Sequence, residues 1–120
     1  MKKIFESEEK RYDFAGDLIY KCFDTICEIE KYCFDNAERF TGTMMRWIKK
    51  RIGGFPDATT KVTVYYMLET IFFSTEHLMS VFGVCVDEDM MKVIALHANQ
   101  ISQLLMGQPD MVIKNMEIKG

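Results

Sequence analysis

Apolar positions in the first third of the chain recur with a spacing that alternates three and four. Tyr12, Ala15, Ile19, Cys22, Ile26, Ile29, Cys33, Asn36 and Phe40 follow it without a slip. A repeat near 3.5 residues lays one continuous stripe along a helix. Leu18, Phe23, Tyr32 and Ala37 widen the stripe on both sides, as a bundle face requires. Ser7 is the expected N-cap, with Glu8 and Glu9 behind it where the helix dipole favours acids. The spacing predicts one helix from Glu8 to Phe40, ending or bending at Thr41-Gly42-Thr43. That helix would be about 50 Å long, against a diameter of roughly 35 Å for a compact domain of this size. It must kink, with Gly16 as the candidate, or extend along a second subunit.

Thr43 to Ile52 reads as a short helix with Met44, Ile48 and Ile52 on one face. Gly53-Gly54 stops it, and Phe55-Pro56-Asp57 leads into the next element, with Asp57 as the expected N-cap. From Ala58 to Phe82 the apolar residues cover most of the helical circumference, from Val62, Val64, Tyr65 and Tyr66 to Phe72, Phe73, Leu78 and Met79. A helix apolar nearly all round must be buried nearly all round. The other helices of so short a chain cannot easily enclose it, so a subunit interface is expected along it. The β-branched and aromatic density of Val62–Tyr66 also leaves a strand open there. Gly83 and the link Val84-Cys85-Val86 separate it from a last helix, Glu88 to Met106, capped by Asp87. Met90, Val93, Ile94, His97, Ile101, Leu104 and Leu105 are its predicted buried face, and Gly107 and Pro109 its stop.

The expected fold is therefore all-α. It is a four-helix bundle-like single domain over 1–120 with a long N-terminal helix, a short extra helix and a loosely docked tail at 110–120. It is expected to be a homodimer through the first and third helices, with Ile19, Ile26, Tyr65, Phe72, Phe73 and Met79 at the interface. Composition agrees: 120 residues, 48% hydrophobic and 28% charged, with two prolines and seven glycines, fit one globular core and exclude a disordered or collagen-like chain. Ten methionines are the anomaly. Met44-Met45 and Met90-Met91 are doubled at helix starts, where one of each pair faces outward, which suits an adaptable binding surface.

The opening MKKIFESEEKRYDF lacks the apolar run of a secretory signal, and Glu69, Glu76 and His77 interrupt the most apolar stretch, so no membrane span is expected. The cytoplasm is the expected location. Cys22, Cys27, Cys33 and Cys85 form no metal-ligand spacing, and Cys22 and Cys33 stand too far apart along one helix to pair. They read as small hydrophobes in a reducing compartment.

Charge is uneven. Residues 1–40 hold seven basic and ten acidic side chains, residues 62–120 hold three and seven, and residues 41–61 hold five basic against one acidic. An acidic chain, net −3, thus carries one basic block. Arg46, Trp47, Lys49, Lys50 and Arg51, followed by Thr59, Thr60 and Lys61 at a helix start, form the candidate binding segment for a protein surface, a small anion or a nucleic acid. The glycines of GGFPDATTK lack P-loop spacing. The acidic face of the first helix is a second candidate binding surface.

Catalytic constellations are sparse. Neither histidine belongs to a Glu-x-x-His motif, so a di-metal carboxylate site is not expected, nor is zinc. A magnesium-dependent helical hydrolase needs acids at helical spacing on facing helices; Asp24, Glu28 and Asp35 on the first helix and Glu69 and Glu76 on the third come nearest, with His77 beside them. No nucleophile elbow occurs. The function expected is a non-catalytic helical interaction protein, a small regulator or inhibitor that binds a macromolecular partner, with no cofactor. The alternatives are a homo-oligomeric binder of an anionic ligand at 46–61 and a small hydrolase using Glu69, Glu76 and His77.

Overall fold

Ser7 opens the first helix as its N-cap. Its Oγ accepts the Lys10 amide at 3.2 Å and its carbonyl accepts the Arg11 amide at 3.1 Å. A computed structural model describes residues 4–29, 36–82 and 87–106, leaving aside the side chains of 79–82 and 87. Four helices make up these residues: α1 (Glu8–Ile29), α2 (Asn36–Ile52), α3 (Ala58–Phe82) and α4 (Asp87–Leu105), with no strand among them. Each packs on its chain neighbours, and α4 closes the ring against α1. Arg51 near the end of α2 reaches Asp17 in the first half of α1, and Arg11 at the start of α1 reaches Ser102 in the last turn of α4, as antiparallel neighbours of α1 would. The all-α bundle expected from the sequence is the fold observed.

The boundaries differ in one place. The expected helix from Glu8 to Phe40 is two helices, and the expected short helix begins at Asn36 rather than Thr43. Phe40 and Thr41-Gly42-Thr43 lie inside α2. Thr41 is buried there because its hydroxyl donates to the Ala37 carbonyl at 2.6 Å, so it costs no unpaired polar group. Gly16 is an ordinary position of α1. With 22 residues, α1 is about 33 Å long, inside the 44 Å longest dimension of the molecule. The overhang that called for a second subunit is gone.

The stripe of α1 is also rotated from the expected seam. Arg11, Phe14, Ala15, Leu18, Cys22, Thr25, Ile26 and Ile29 face inward, while Tyr12 is 60% exposed and Ile19 only half-buried. In the core these residues meet Phe40, Met44 and Ile48 of α2, Val64, Leu68, Ile71 and Phe72 of α3, and Met90, Ile94, Ala98, Ile101 and Leu105 of α4. On α4, Val93 and His97 are half-buried at the flanks, and Ala98 and Ser102 take the inward positions instead.

Val62–Tyr66 is helical, which settles the strand alternative. Along α3, threonine hydroxyls fold back onto the helix: Thr63 onto the Thr59 carbonyl, Thr70 onto Tyr66, and Thr75 onto Ile71 and Phe72. Buried Thr75 is thereby satisfied in the β-branched stretch. The expectations for Tyr32, Cys33, Asp35, Gly83 to Val86, Gly107, Pro109 and the 110–120 tail fall outside the described residues.

Candidate functional site

Two surfaces carry the sequence-derived candidates: the end of α2 with the start of α3, and the outward face of α3. At the first, Gly53 and Gly54 take positive φ values of 78° and 121° and donate their amides to the Lys49 carbonyl at 2.9 and 3.0 Å. This is how a glycine ends a helix whose last carbonyls need donors. Lys49, Lys50 and Arg51 occupy the last turn of α2, where positive charge complements the negative end of the dipole. Five residues on, Asp57 caps α3. Its Oδ1 accepts the Thr60 amide at 2.7 Å. The Thr60 amide, then the Thr60 hydroxyl, hold this carboxyl below the usual range for an aspartate. The carboxylate therefore occupies the helix N-terminus that an incoming anion would use.

The basic segment divides into two groups. Trp47 is half-buried, stacked on Phe14 at 5.8 Å between ring centres, with the Arg51 guanidinium 5.7 Å from its ring. Arg51 pairs with Asp17 at 2.8 Å, and Thr60 is buried. Trp47 and Thr60 are built into the bundle, and Arg51, itself exposed, is tied to it through Asp17. Arg46, Lys49, Lys50, Thr59 and Lys61 are exposed, and among the described residues the four cations make no ion pair. A shallow cleft of about 340 Å³ opens alongside, between Ile4 and Phe5, Lys10 and Phe14 of α1, and Arg51 and Ile52 of α2.

The outward face of α3 carries large apolar side chains among polar ones. Val62 is 50%, Tyr66 61% and Phe73 52% exposed, with Tyr65 beside them and Leu96 likewise exposed on α4. Phe73 is not a loose side chain. It sits edge-on to Phe72 at 5.9 Å, and Phe72 packs on buried Phe40 at 5.6 Å, so a run of rings ties the surface to the core. Tyr65 and Tyr66 meet edge-on at 5.8 Å. Half-buried Glu69 and exposed Glu76 and His77 lie on the same face.

Of the expected interface residues, Tyr65 and Phe73 are at this surface. Ile26 and Phe72 are inside the core at 3% and 5% exposure, so neither is available to a second chain. The side chain of Met79 is outside those described. Val62 and Tyr66 are the surface residues missed by the sequence reading, and their place in the spacing 62, 66, 69, 73, 76 is the signal that marks them. On α1, Tyr20 is exposed, among Asp13, Asp17, Asp24 and Glu28 of the acidic face.

Glu69, Glu76 and His77 stand on an open helix face. His97 is half-buried on α4, where Nδ1 and Gln100 Oε1 share a hydrogen bond of 3.1 Å. Among the described residues no three His, Cys, Asp or Glu side chains converge to hold a metal ion. No helix among them is long and apolar enough to cross a membrane. No family model, no curated protein and no solved structure matches this chain.

Proposed function

We propose that this protein is a non-catalytic helical interaction protein, a small regulator or inhibitor that acts by docking a macromolecular partner on the outward face of α3. One observation carries the reading: three large apolar side chains, Val62, Tyr66 and Phe73, stand half or more exposed in one row on a helix whose opposite face completes the core. Isolated exposed apolar residues are ordinary, but several large ones aligned on one helix face mark an interaction surface. An aromatic ring braced from below, as Phe73 is by Phe72, suits a binding anchor, because little side-chain freedom is lost when a partner covers it. The homodimer expected from the sequence belongs to the same reading. So does a reducing, cytoplasmic setting, supported by Cys22, a thiol buried as a core hydrophobe.

Native mass spectrometry of the protein from the cells that make it tests the reading. Wild type should run above the 14.0 kDa of one chain through bound protein, and Tyr66→Glu should lose that mass. A wild type that runs as a bare chain, or carries small molecules alone, would overturn it.

A second reading, an anion or nucleic-acid binder at 46–61, is favoured by the exposed Arg46, Lys49, Lys50 and Lys61, which make no ion pair among the described residues. The Asp57 carboxylate at the start of α3 weighs against it.

A further inference from the structure

Four positions of the outward row of α3, from Val62 to Phe73, read the same in both directions. Val62, Tyr66, Glu69 and Phe73 are spaced four, three and four. The reverse of that row has the identical spacing. Two copies of the helix laid antiparallel therefore match layer by layer about a two-fold axis crossing near Met67 and Leu68. Val62 of one copy meets Phe73 of the other, and Tyr66 of one meets Glu69 of the other. We infer that the occupant of this face is a second copy of the chain, packed α3 against α3 in this antiparallel register. The inference rests on the reading of α3 as a docking surface and names its partner.

The chemistry of the layers selects this arrangement over its parallel counterpart. A parallel pair sets Glu69 against Glu69, two half-buried carboxylates facing each other as the surface closes. The antiparallel pair gives each Glu69 a phenol O–H donor from Tyr66 instead. The flank agrees. Lys61, Tyr65, Glu69 and Glu76 run along one edge of the row. A two-fold axis perpendicular to an antiparallel pair brings the same edge of both helices together. Lys61 then lies within half a turn of Glu76 of the second copy, twice over, both side chains being exposed in the single chain. A parallel pair puts the two lysine edges on opposite sides and makes no such contact.

The area is sufficient. Val62, Tyr65, Tyr66 and Phe73 leave on the order of 400 Å² open between them, about half of the roughly 800 Å² that each partner buries in a standard interface. Glu69, Thr70, Glu76 and His77 supply the polar remainder, giving an apolar centre and a polar rim.

The test uses the full chain. Sedimentation at micromolar concentration should give twice the 14.0 kDa chain mass. Tyr66→Glu and Phe73→Glu should each weaken association by roughly a hundredfold or more, since each buries an unpaired charge, with helical content unchanged because both positions are on the surface. Tyr12→Glu, on exposed α1, should leave it intact. Lys61→Glu and Glu76→Lys should each weaken it by about tenfold, and the two together should restore it. For the register, benzoylphenylalanine in place of Val62 is irradiated in a mixture of isotope-labelled and unlabelled chains. Cross-links between chains to residues 70–77 support the antiparallel pair. Cross-links to 58–66 of the other chain, or to 107–120 of the same chain, overturn it, as does a monomeric wild type or a dimer indifferent to the α3 variants. If the purified chain is monomeric while Tyr66→Glu still strips a different protein from it in cells, the second copy falls and the docking surface stands. If neither is seen, both fall.

Discussion

Arg11 Nη1 donates a hydrogen bond of 2.9 Å to Ser102 Oγ, joining α1 to α4 across a sequence separation of 91 residues. The guanidinium is almost fully buried, and two more of its five N–H donors find an acceptor locally. Nε and Nη2 both reach Glu8 Oε2 at 2.9 Å, and Cζ lies 4.3 Å from the centre of the Tyr12 ring. Ser102 in turn donates to the Asn99 carbonyl at 2.8 Å. The charge sits beside the last turn of α4, whose carbonyl ends are partially negative. An arginine thus fills a core position because each part of it, stem and head, finds a partner.

The stability contribution of that arginine comes from packing more than from charge. Its counter-ion Glu8 is 57% exposed, so water screens the pair. Arg11→Ala removes the stem and leaves Ser102 without its donor, and should cost roughly 2–4 kcal/mol. Arg11→Met keeps the apolar stem and removes the buried charge, and should cost about 1 kcal/mol or less. Glu8→Gln should cost about 1 kcal/mol. Urea unfolding of the three variants with unchanged slope checks the order. Equal losses for Arg11→Met and Arg11→Ala would show that the ion pair, not the packing, holds α1 to α4.

Cys22 is fully buried on the inward stripe of α1, and burial pushes its thiol far above the ordinary cysteine range. It should therefore remain a thiol at mildly alkaline pH and resist alkylation until the bundle opens. Mass spectrometry after a short alkylation pulse reads this directly; modification of Cys22 at the rate of a free peptide thiol would contradict it. Cys22→Ser places a hydroxyl among apolar side chains and should cost about 1–3 kcal/mol.

Arg11 also shows where the sequence could be read and where it could not. The 3.5-residue period marked α1 as a bundle helix, yet it chose Tyr12 over Arg11 as an inward position, because hydropathy assigns a charged side chain to solvent. What buries Arg11 is Ser102, far along the chain, and no local window contains that partner. The break between α1 and α2 was hidden for a different reason. Ile29, Asn36 and Phe40 keep the same phase, so periodicity alone does not separate the two helices. Thr41-Gly42 had the composition of a stop, but the Thr41 hydroxyl is satisfied by the Ala37 carbonyl inside the helix. The caps were legible because their chemistry is local: Ser7, Gly53 and Asp57 stand where expected. The apolar circumference of α3 was legible too, but which of its residues stay outside depends on how α2 and α4 flank it. That is why Phe72 and Phe73, adjacent in sequence, end at 5% and 52% exposure.

Asp57 gives the cap at α3 a pH dependence. Its folded carboxyl titrates below the usual aspartate value of about 3.9, chiefly through the Thr60 amide. A lowered folded value means that the unfolded chain binds the proton more readily. The contribution is present in full above about pH 4 and is lost as pH falls through the folded value. Asp57→Asn keeps an N-cap acceptor and does not titrate. Thermal unfolding followed from neutral to strongly acid pH should show the two proteins running parallel above about pH 4. Below it the wild type should fall more steeply. Parallel curves throughout would mean that Asp57 carries no charge-dependent share of the cap.

Lys49 and Lys50 separate the two readings of the basic segment by opposite signatures. As dipole partners in the last turn of α2, each contributes roughly 0.3–1 kcal/mol at low salt, and the effect is screened as salt rises. Lys49→Glu with Lys50→Glu should then lower stability, and added salt should recover much of the loss. No ligand is involved in that outcome. As an anion site, the same pair would bind a polyanion such as heparin with an affinity that falls as salt rises, and the double reversal would abolish that binding. The Asp57 carboxylate already fills the neighbouring helix N-terminus, and Arg51 is committed to Asp17. The expected result is therefore the salt-recoverable loss of stability, with heparin held no more tightly by wild type than by the variant. Tight binding by wild type that vanishes in the variant would return the function to the 46–61 segment.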